Sequence, residues 1–218
     1  MTFDEYVDLL GPAALETLQM VGLTTLWTVV FGLPLGVALY ALSPRGLRPQ
    51  GLAYKAIGLV VNIGRSVPFI LLMLAIIPVT RLLVGTSIGS AAAVVPLAVA
   101  AVPFFARLVE SSLLEVDPGL VEAARSMGAH GFGIVGRVLV PEALPSIIRN
   151  VTVTVVAVIG YSAMAGAIGG GGLGAVAVRF GYQRFQYDVM IVAVIVLVVF
   201  VQLIQLAGDL ISRRLDRR

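Results

Sequence analysis

A run of glycines in the last third of the chain, Gly169-Gly170-Gly171-Gly172-Leu173-Gly174, is the first candidate for ligand chemistry. Glycine loops bring backbone N–H groups close to phosphates. A nucleotide loop also needs a strand before the glycines and a Lys-Ser or Lys-Thr pair after them, and this run has neither. We therefore predict a flexible turn. Since no phosphate loop occurs elsewhere in the sequence either, we expect no ATPase activity in this chain. We expect the energy source to be on a partner protein.

The ionisable residues offer little for catalysis or metal binding. His130 is the only histidine and has neither a second ligand nor a triad partner near it in sequence, and cysteine is absent. Carboxylates lie at the edges of the apolar stretches, at Glu16, Glu110, Asp188 and Asp209. We accordingly expect no catalytic residue, no metal site, no bound cofactor and no intramembrane proton relay.

Arg65 is the one charge deep within an apolar stretch. Such a residue costs at least about 2.5 kcal/mol to insert into a membrane unless it faces protein or water. Two interpretations remain open. The side chain either extends along the helix to the membrane surface or has a functional role towards the inner mouth of a helix bundle.

Tyr161 and Met164 are the best candidates for lining a path. They are three residues apart and so adjacent on one helix face, while Gly160, Ala163 and Ala167 are small enough for another helix to approach. An amphipathic Tyr and a polarizable Met suit a gate in an apolar passage. Ordinary packing between helices is the alternative.

The composition places these residues in a membrane. Hydrophobic residues are 59% of the 218, charged residues only 12%, and the mean hydropathy is +1.01. Soluble domains carry about 25% charge. The net charge of +3 is explained by where the arginines lie, because no basic cluster alternates with aromatics as nucleic-acid binding would require.

The hydrophobic pattern predicts an all-α membrane protein with five transmembrane helices in one domain, residues 1–218. The 28 uncharged residues between Glu16 and Arg45 are enough to cross a hydrocarbon core of about 30 Å. Pro34 should kink this span, and Pro68 should bend the second. The predicted spans are approximately 17–43, 57–79, 91–108, 147–168 and 189–208.

The distribution of Lys and Arg predicts the orientation of these spans. One side collects Arg45, Arg48, Lys55, Arg107, Arg125, Arg137, Arg149 and four arginines of the carboxyl-terminal tail, whereas the other has Arg81, Arg179 and Arg184. The basic side is cytoplasmic by this rule. It carries the loop 111–146 and the carboxyl terminus, so the acidic amino terminus lies outside.

The polar interval from Asp117 to Pro145 interrupts the apolar pattern. Asp117 and Pro118 predict the start of a short helix, and Gly128 its left-handed end. Leu120, Ala124 and Met127 should share its apolar face, and Glu122 should pair with Arg125 or anchor the loop. A second short helix follows, with an apolar stripe of Phe132, Val135, Gly136 and Leu139, and Pro141 and Pro145 should break it before the fourth span.

The residues of this loop resemble a known signature. The residues concerned are Glu122-Ala123-Ala124, Gly128 and Val138-Leu139-Val140-Pro141. Their order and spacing are similar to the cytoplasmic loop of ABC importer permeases. The pattern of that loop reads Glu-Ala-Ala, three residues, Gly, nine residues, Ile, any residue, Leu-Pro. Val138 and Val140 depart from that pattern conservatively. The stretches GYSAMAGAIGGGGLG and GYQRFQYDVM further resemble the methionine-importer permeases of bacteria.

The resemblance implies a type I ABC importer permease fold in the bacterial plasma membrane, a homodimer, two cytoplasmic ATPase subunits that carry ATP and Mg, and an external methionine-binding protein. Coupling to the ATPase would fall to Glu122, Ala123, Ala124, Gly128 and Pro141. Permeation of another amino acid or small solute is the first alternative, and a secondary transporter or channel the second. Arg179, Arg184 and the aromatics beside them would contact the delivery protein or lie in an interfacial aromatic belt.

Overall fold

The computed structural model describes residues 2–215, and every regular element in that range is helical. Four long helices, α1, α5, α8 and α10, form the bundle. Shorter helices α2 to α4 and α6, α7 and α9 connect them. Their bounds are α1 Phe3–Leu42, α2 Gly51–Ser66, α3 Phe69–Ala75, α4 Ile77–Val84, α5 Ser90–Leu114, α6 Pro118–Ser126, α7 Gly131–Ile134, α8 Val140–Ala165, α9 Gly172–Val176 and α10 Tyr187–Leu215.

Helices α1, α5, the continuous stretch Gly131–Gly170 and α10 are each long and apolar enough to cross a membrane. Helices α2 and α3 pass the same test only as a pair, and because they meet at 101° they form either a broken fifth span or a re-entrant loop. The all-helical fold expected from the sequence is confirmed.

The bend between α2 and α3 lies at Pro68. Val67 is extended (φ −78°, ψ 124°), as a residue before proline prefers, and Pro68 caps α3 without an N–H to continue the helical ladder. The sequence located this bend but not its size, because the angle depends on how α3 packs against α5 and α8. Phe69, directly after the bend, is buried with Met73 against Leu97 of α5 and Ala165 of α8.

The expected break at Pro141 and Pro145 is wrong. The helix runs through both prolines, since a π-helical segment Val135–Leu139 precedes them and Pro141 falls in the first turn of α8. The wider π-helical turn accommodates the absence of a backbone N–H at Pro141. The second short helix of the loop is therefore continuous with the fourth span.

The centre of the bundle is the contact between α1 and α5. A Cβ at Gly36 would lie 2.6 Å from the Val109 side chain, and one at Gly32 would lie 2.9 Å from the ring of Phe105. Both glycines let the two backbones approach closely. Leu39, Phe105 and Val109 are fully buried as a result.

The glycine run is a close-packed segment, not the flexible turn that the sequence suggested. Gly172 N–H donates to Glu16 Oε2 at 2.8 Å, and Leu173 N–H donates to Thr17 Oγ1 at 2.9 Å. Gly172 has φ +71°, and a Cβ there would lie 2.5 Å from Thr17 Oγ1. The glycines are needed for close approach to α1 and not for mobility.

Candidate functional site

A cleft between α2, α5 and α8 is lined by a stacked aromatic pair. The rings of Tyr161 on α8 and Phe69 on α3 are stacked, with centroids 5.0 Å apart and planes at 14°. Both rings line a cavity of about 490 Å³, with Phe104 of α5 and the polar residues Asn62 and Arg65 of α2. The bend at Pro68 turns Phe69 towards Tyr161. Sequence reasoning missed Phe69, although its position directly after a predicted bend was a signal that could have indicated it.

Of the two residues predicted as a gate, Tyr161 lines the cleft and Met164 does not. Met164 lies nearly one helical turn beyond Tyr161, is 46% exposed, and is not among the residues that line the cleft. A Cβ added at Gly160 would meet nothing within 4 Å, so no helix of the described chain approaches it. Ala163 does meet another segment, because a Cβ at Gly174 would lie 2.5 Å from its carbonyl oxygen.

Arg65 lies on the wall of this cleft. It lines the cavity beside the aromatic pair and also an adjoining cavity of about 610 Å³ that runs along α2 past Lys55, Asn62 and Arg107. Lys55, Asn62 and Arg65 are at positions i, i+7 and i+10 of α2 and so share one face. Arg65 therefore faces a cleft, and its side chain is exposed there.

Arg107 of α5 forms an ion pair within its own helix and also holds α2 against α5 by hydrogen bonds. Arg107 donates to Glu110 Oε2 at 2.7 Å, to Gly58 O at 3.1 Å and to Asn62 Oδ1 at 3.2 Å. Glu110 is only 4% exposed. This link was not predicted, although the spacing of Arg107 and Glu110, three residues apart on one helix, is a signal for a pair.

The first helix of the loop forms where the sequence placed it. Asp117 caps α6 by accepting from Gly119 N–H at 2.8 Å, and Gly128 has φ +81° just beyond its end. Of the predicted apolar face, however, only Ala124 is buried. Val121 and Ala124 are the buried residues of α6, whereas Leu120 and Met127 are 42% and 82% exposed.

The ion pair expected between Glu122 and Arg125 does not form. Arg125 donates instead to Leu47 O in the turn after α1, at 3.1 Å, and within residues 2–215 the salt bridge found is Arg107–Glu110. Arg125 thus ties the loop to the α1–α2 turn. Glu122 and Ala123 are exposed beside it.

The surface of the loop that faces away from the bundle carries apolar side chains that no described residue covers. Phe132 is 96% exposed, and Met127 is close to it in sequence at 82%. Of the predicted apolar stripe, Leu139 is buried whereas Phe132 is on the surface, and Ile134, which was not part of the stripe, is buried as well. Pro141 is also exposed. Of the predicted coupling residues, only Ala124 is buried within the described chain.

The opposite end of the molecule has an aromatic and basic surface. Arg184 lies 4.6 Å above the Phe180 ring and Arg179 lies 5.9 Å from it, both within the range of cation–π attraction. Tyr182, Phe185 and Tyr187 are exposed nearby. Contact with a delivery protein and an interfacial aromatic belt both stay predictions for this surface.

A family model described as "Binding-protein-dependent transport system inner membrane component" matches residues 17–218. The probable D-methionine transport system permease protein MetI of Vibrio cholerae is 54% identical over 211 residues, 97% of this chain and 94% of the relative. The methionine import system permease protein MetP of Bacillus subtilis is 48% identical over 164 residues, 75% of this chain and 74% of the relative.

Comparison with solved structures also finds transporters. A chain of the MetNI methionine ABC transporter, in an inward-facing conformation, matches with a TM-score of 0.97 and 46% identity over 100% of both chains. A chain of an amino acid ABC transporter crystallised with histidines matches at a TM-score of 0.78 and 23% identity, covering 98% of this chain and 100% of that one. The second likeness concerns the fold alone.

Proposed function

Because the chain belongs to the family of binding-protein-dependent transport system inner membrane components, we propose that it is the permease subunit of an ATP-driven methionine importer. The observation that carries this proposal is the likeness, over the full length of both chains, to the inward-facing MetNI methionine transporter. The protein is a multi-pass component of the inner membrane.

The cleft between α2, α5 and α8 is the path in this proposal. Its aromatic pair, Phe69 and Tyr161, closes one end, and the polar face of α2 leads away from that pair towards the end that carries the loop. An inward-facing permease requires such a path open on the cytoplasmic side and closed on the outer side.

Energy comes from two ATPase subunits that bind ATP and Mg, on the cytoplasmic side of a permease homodimer. Exposed apolar residues on the loop, Phe132 and Met127, together with Glu122 and Ala123, supply the docking surface. Gly128 ends α6 so that the chain reverses, and Pro141 begins α8. Ala124 is buried beneath this surface and packs α6 against the bundle.

The loop transmits force because it is tied to two parts of the bundle. Arg125 bonds to the turn after α1, and the second half of the loop is continuous with α8, which carries Tyr161. Closure of the ATPases would move these helices as rigid bodies and separate or close the aromatic pair. The loop is then a mechanical link and not an active site.

Substrate reaches the path from an external methionine-binding protein. With the amino terminus outside and the carboxyl terminus in the cytoplasm, the surface of Phe180, Arg179 and Arg184 faces that protein. The same orientation places the loop and the turn after α1 on the ATPase side. Reporter fusions at the two termini test this arrangement, and a cytoplasmic amino terminus would contradict it.

The substrate is tested by uptake of labelled L-methionine into proteoliposomes that hold the permease, its ATPase and its binding protein. We expect unlabelled L-methionine to compete fully and leucine or histidine to compete weakly, with D-methionine measured in parallel. Coupled ATP hydrolysis without methionine uptake would leave the architecture intact and exclude methionine as the substrate.

A further inference from the structure

Arg65 belongs neither to the aromatic pair nor to the loop. Its side chain lines both cavities of the cleft and makes no hydrogen bond or ion pair with another residue in the described range. A cation at this depth is expensive to maintain without a partner. An unpartnered guanidinium that faces a cleft is a binding group for an anion that enters the cleft.

The groups around Arg65 narrow the choice of anion. Asn62 lines the same two cavities, and its Oδ1 already accepts from Arg107, so its amide N–H groups remain as donors. Glu110 neutralises Arg107 at 2.7 Å. Arg65 is therefore, among the described residues, the free cation of the cavity beside the aromatic pair, and Asn62 is a neutral donor one helical turn away.

The residues that α3, α5 and α8 contribute to that cavity are aromatic or apolar. Phe69, Phe104 and Tyr161 line it together with Ala100. A ligand that fits has one planar anionic group for the guanidinium fork and an apolar part for the rings. A free amino acid with an apolar side chain has this form, whereas an inorganic anion has no group for the aromatic wall.

We propose that Arg65, assisted by Asn62, binds the carboxylate of the transported amino acid after it has passed the Phe69–Tyr161 pair. This inference rests on the proposed function and adds a substrate subsite within the permease itself. Lys55 lies on the same face of α2, about 15 Å further along the helix. It is the next cation on the way out of the cleft.

The test compares the carboxylate with its neutral amide. Binding of L-methionine and of L-methioninamide is measured on the nucleotide-free permease–ATPase complex in nanodiscs, without the binding protein. Charged hydrogen bonds of this kind are worth about tenfold or more in affinity. We expect the complex to bind the acid at least about tenfold more tightly than the amide. Arg65→Gln should bring this preference close to one.

Arg48→Gln is the matched control, because Arg48 is an exposed arginine in the turn after α1 and lines neither cavity. It should keep the acid-over-amide preference of the parent. Arg65→Lys should retain part of the preference, since an ammonium keeps the charge but loses the planar fork. ATPase stoichiometry in each purified complex checks assembly, and if Arg65→Gln does not assemble, the reduced preference of Arg65→Lys decides.

An unchanged preference in Arg65→Gln or, failing its assembly, in Arg65→Lys would overturn the subsite. Failure of the proposed function has a different signature, because the unsubstituted transporter would then not accumulate methionine at all. A normal methionine uptake by the parent with no effect of Arg65 substitutions on either binding or uptake would leave the importer standing and remove only the subsite.

Discussion

The ring of Tyr161 lies flat on the ring of Phe69, with 5.0 Å between the centroids. The two residues are far apart in sequence, on α8 and α3, and the bend at Pro68 brings them together. Their contact joins α8, which continues from the loop, to α3, which follows the bend.

Loss of this stack should loosen the closed end of the path. Tyr161→Ala removes one ring, and an aromatic pair contributes about 0.5–1.5 kcal/mol beyond its buried area. We expect efflux of preloaded methionine from proteoliposomes without ATP to rise by about two- to tenfold. Tyr161→Phe keeps the ring and should leave efflux at the parent rate; equal efflux from all three proteins would exclude the pair as a gate.

Two adjacent alanines of the loop should respond differently to added bulk. Ala124 is 4% exposed, packed in a cluster with Val121 and Ile134, so Ala124→Leu should destabilise the permease by about 1–3 kcal/mol. Ala123 is exposed, so Ala123→Leu should leave the unfolding temperature of the permease unchanged and weaken its co-purification with the ATPase. A normal unfolding temperature in Ala124→Leu would contradict the packing of α6.

The sequence predicted the start and end of α6 because both depend on local chemistry, a side-chain cap at Asp117 and a left-handed glycine at Gly128. It did not predict the buried face, because Val121 and Ala124 join a hydrophobic cluster that includes residues distant in sequence, such as Tyr40. The same holds for Arg65, whose depth was visible in the sequence while its cleft depends on three helices. The prediction of a helix break at Pro141 was wrong because no sequence rule predicts the π-helical segment that precedes it.

The glycine run offers a stability test with a built-in control. Gly172→Ala forces a side chain into φ +71° and against Thr17 Oγ1 at 2.5 Å, so it should destabilise the permease by about 1–3 kcal/mol. Gly11→Ala lies within α1 with nothing within 4 Å, and it should be neutral or stabilising by about 0.5–1 kcal/mol. Thermal unfolding of the two proteins in detergent measures the difference. A stable Gly172→Ala would mean that this run is as flexible as its composition suggests.

The contact that Arg107 makes with α2 depends on its ion pair with Glu110 within α5, and it should be more sensitive to the loss of one member of that pair than of both. Glu110→Ala leaves Arg107 without its carboxylate in a largely buried site, at an expected cost of about 3–5 kcal/mol. The double substitution Arg107→Met with Glu110→Leu removes both charges and should cost clearly less. Half-lives of the solubilised proteins at elevated temperature rank the two. The reverse ranking would show that the ion pair itself, and not the avoided unpaired charge, stabilises this contact.

The proposal that this chain forms the path of an ATP-driven methionine importer is best tested by concentrative transport. Labelled L-methionine is followed as it enters proteoliposomes, with ATP supplied on the ATPase side and the binding protein on the other. We expect the internal concentration to rise above the external one, and this accumulation to disappear when the partner ATPase cannot hydrolyse ATP. Uptake that stops at equal concentrations, and is indifferent to ATP hydrolysis, would contradict the proposal and indicate a channel.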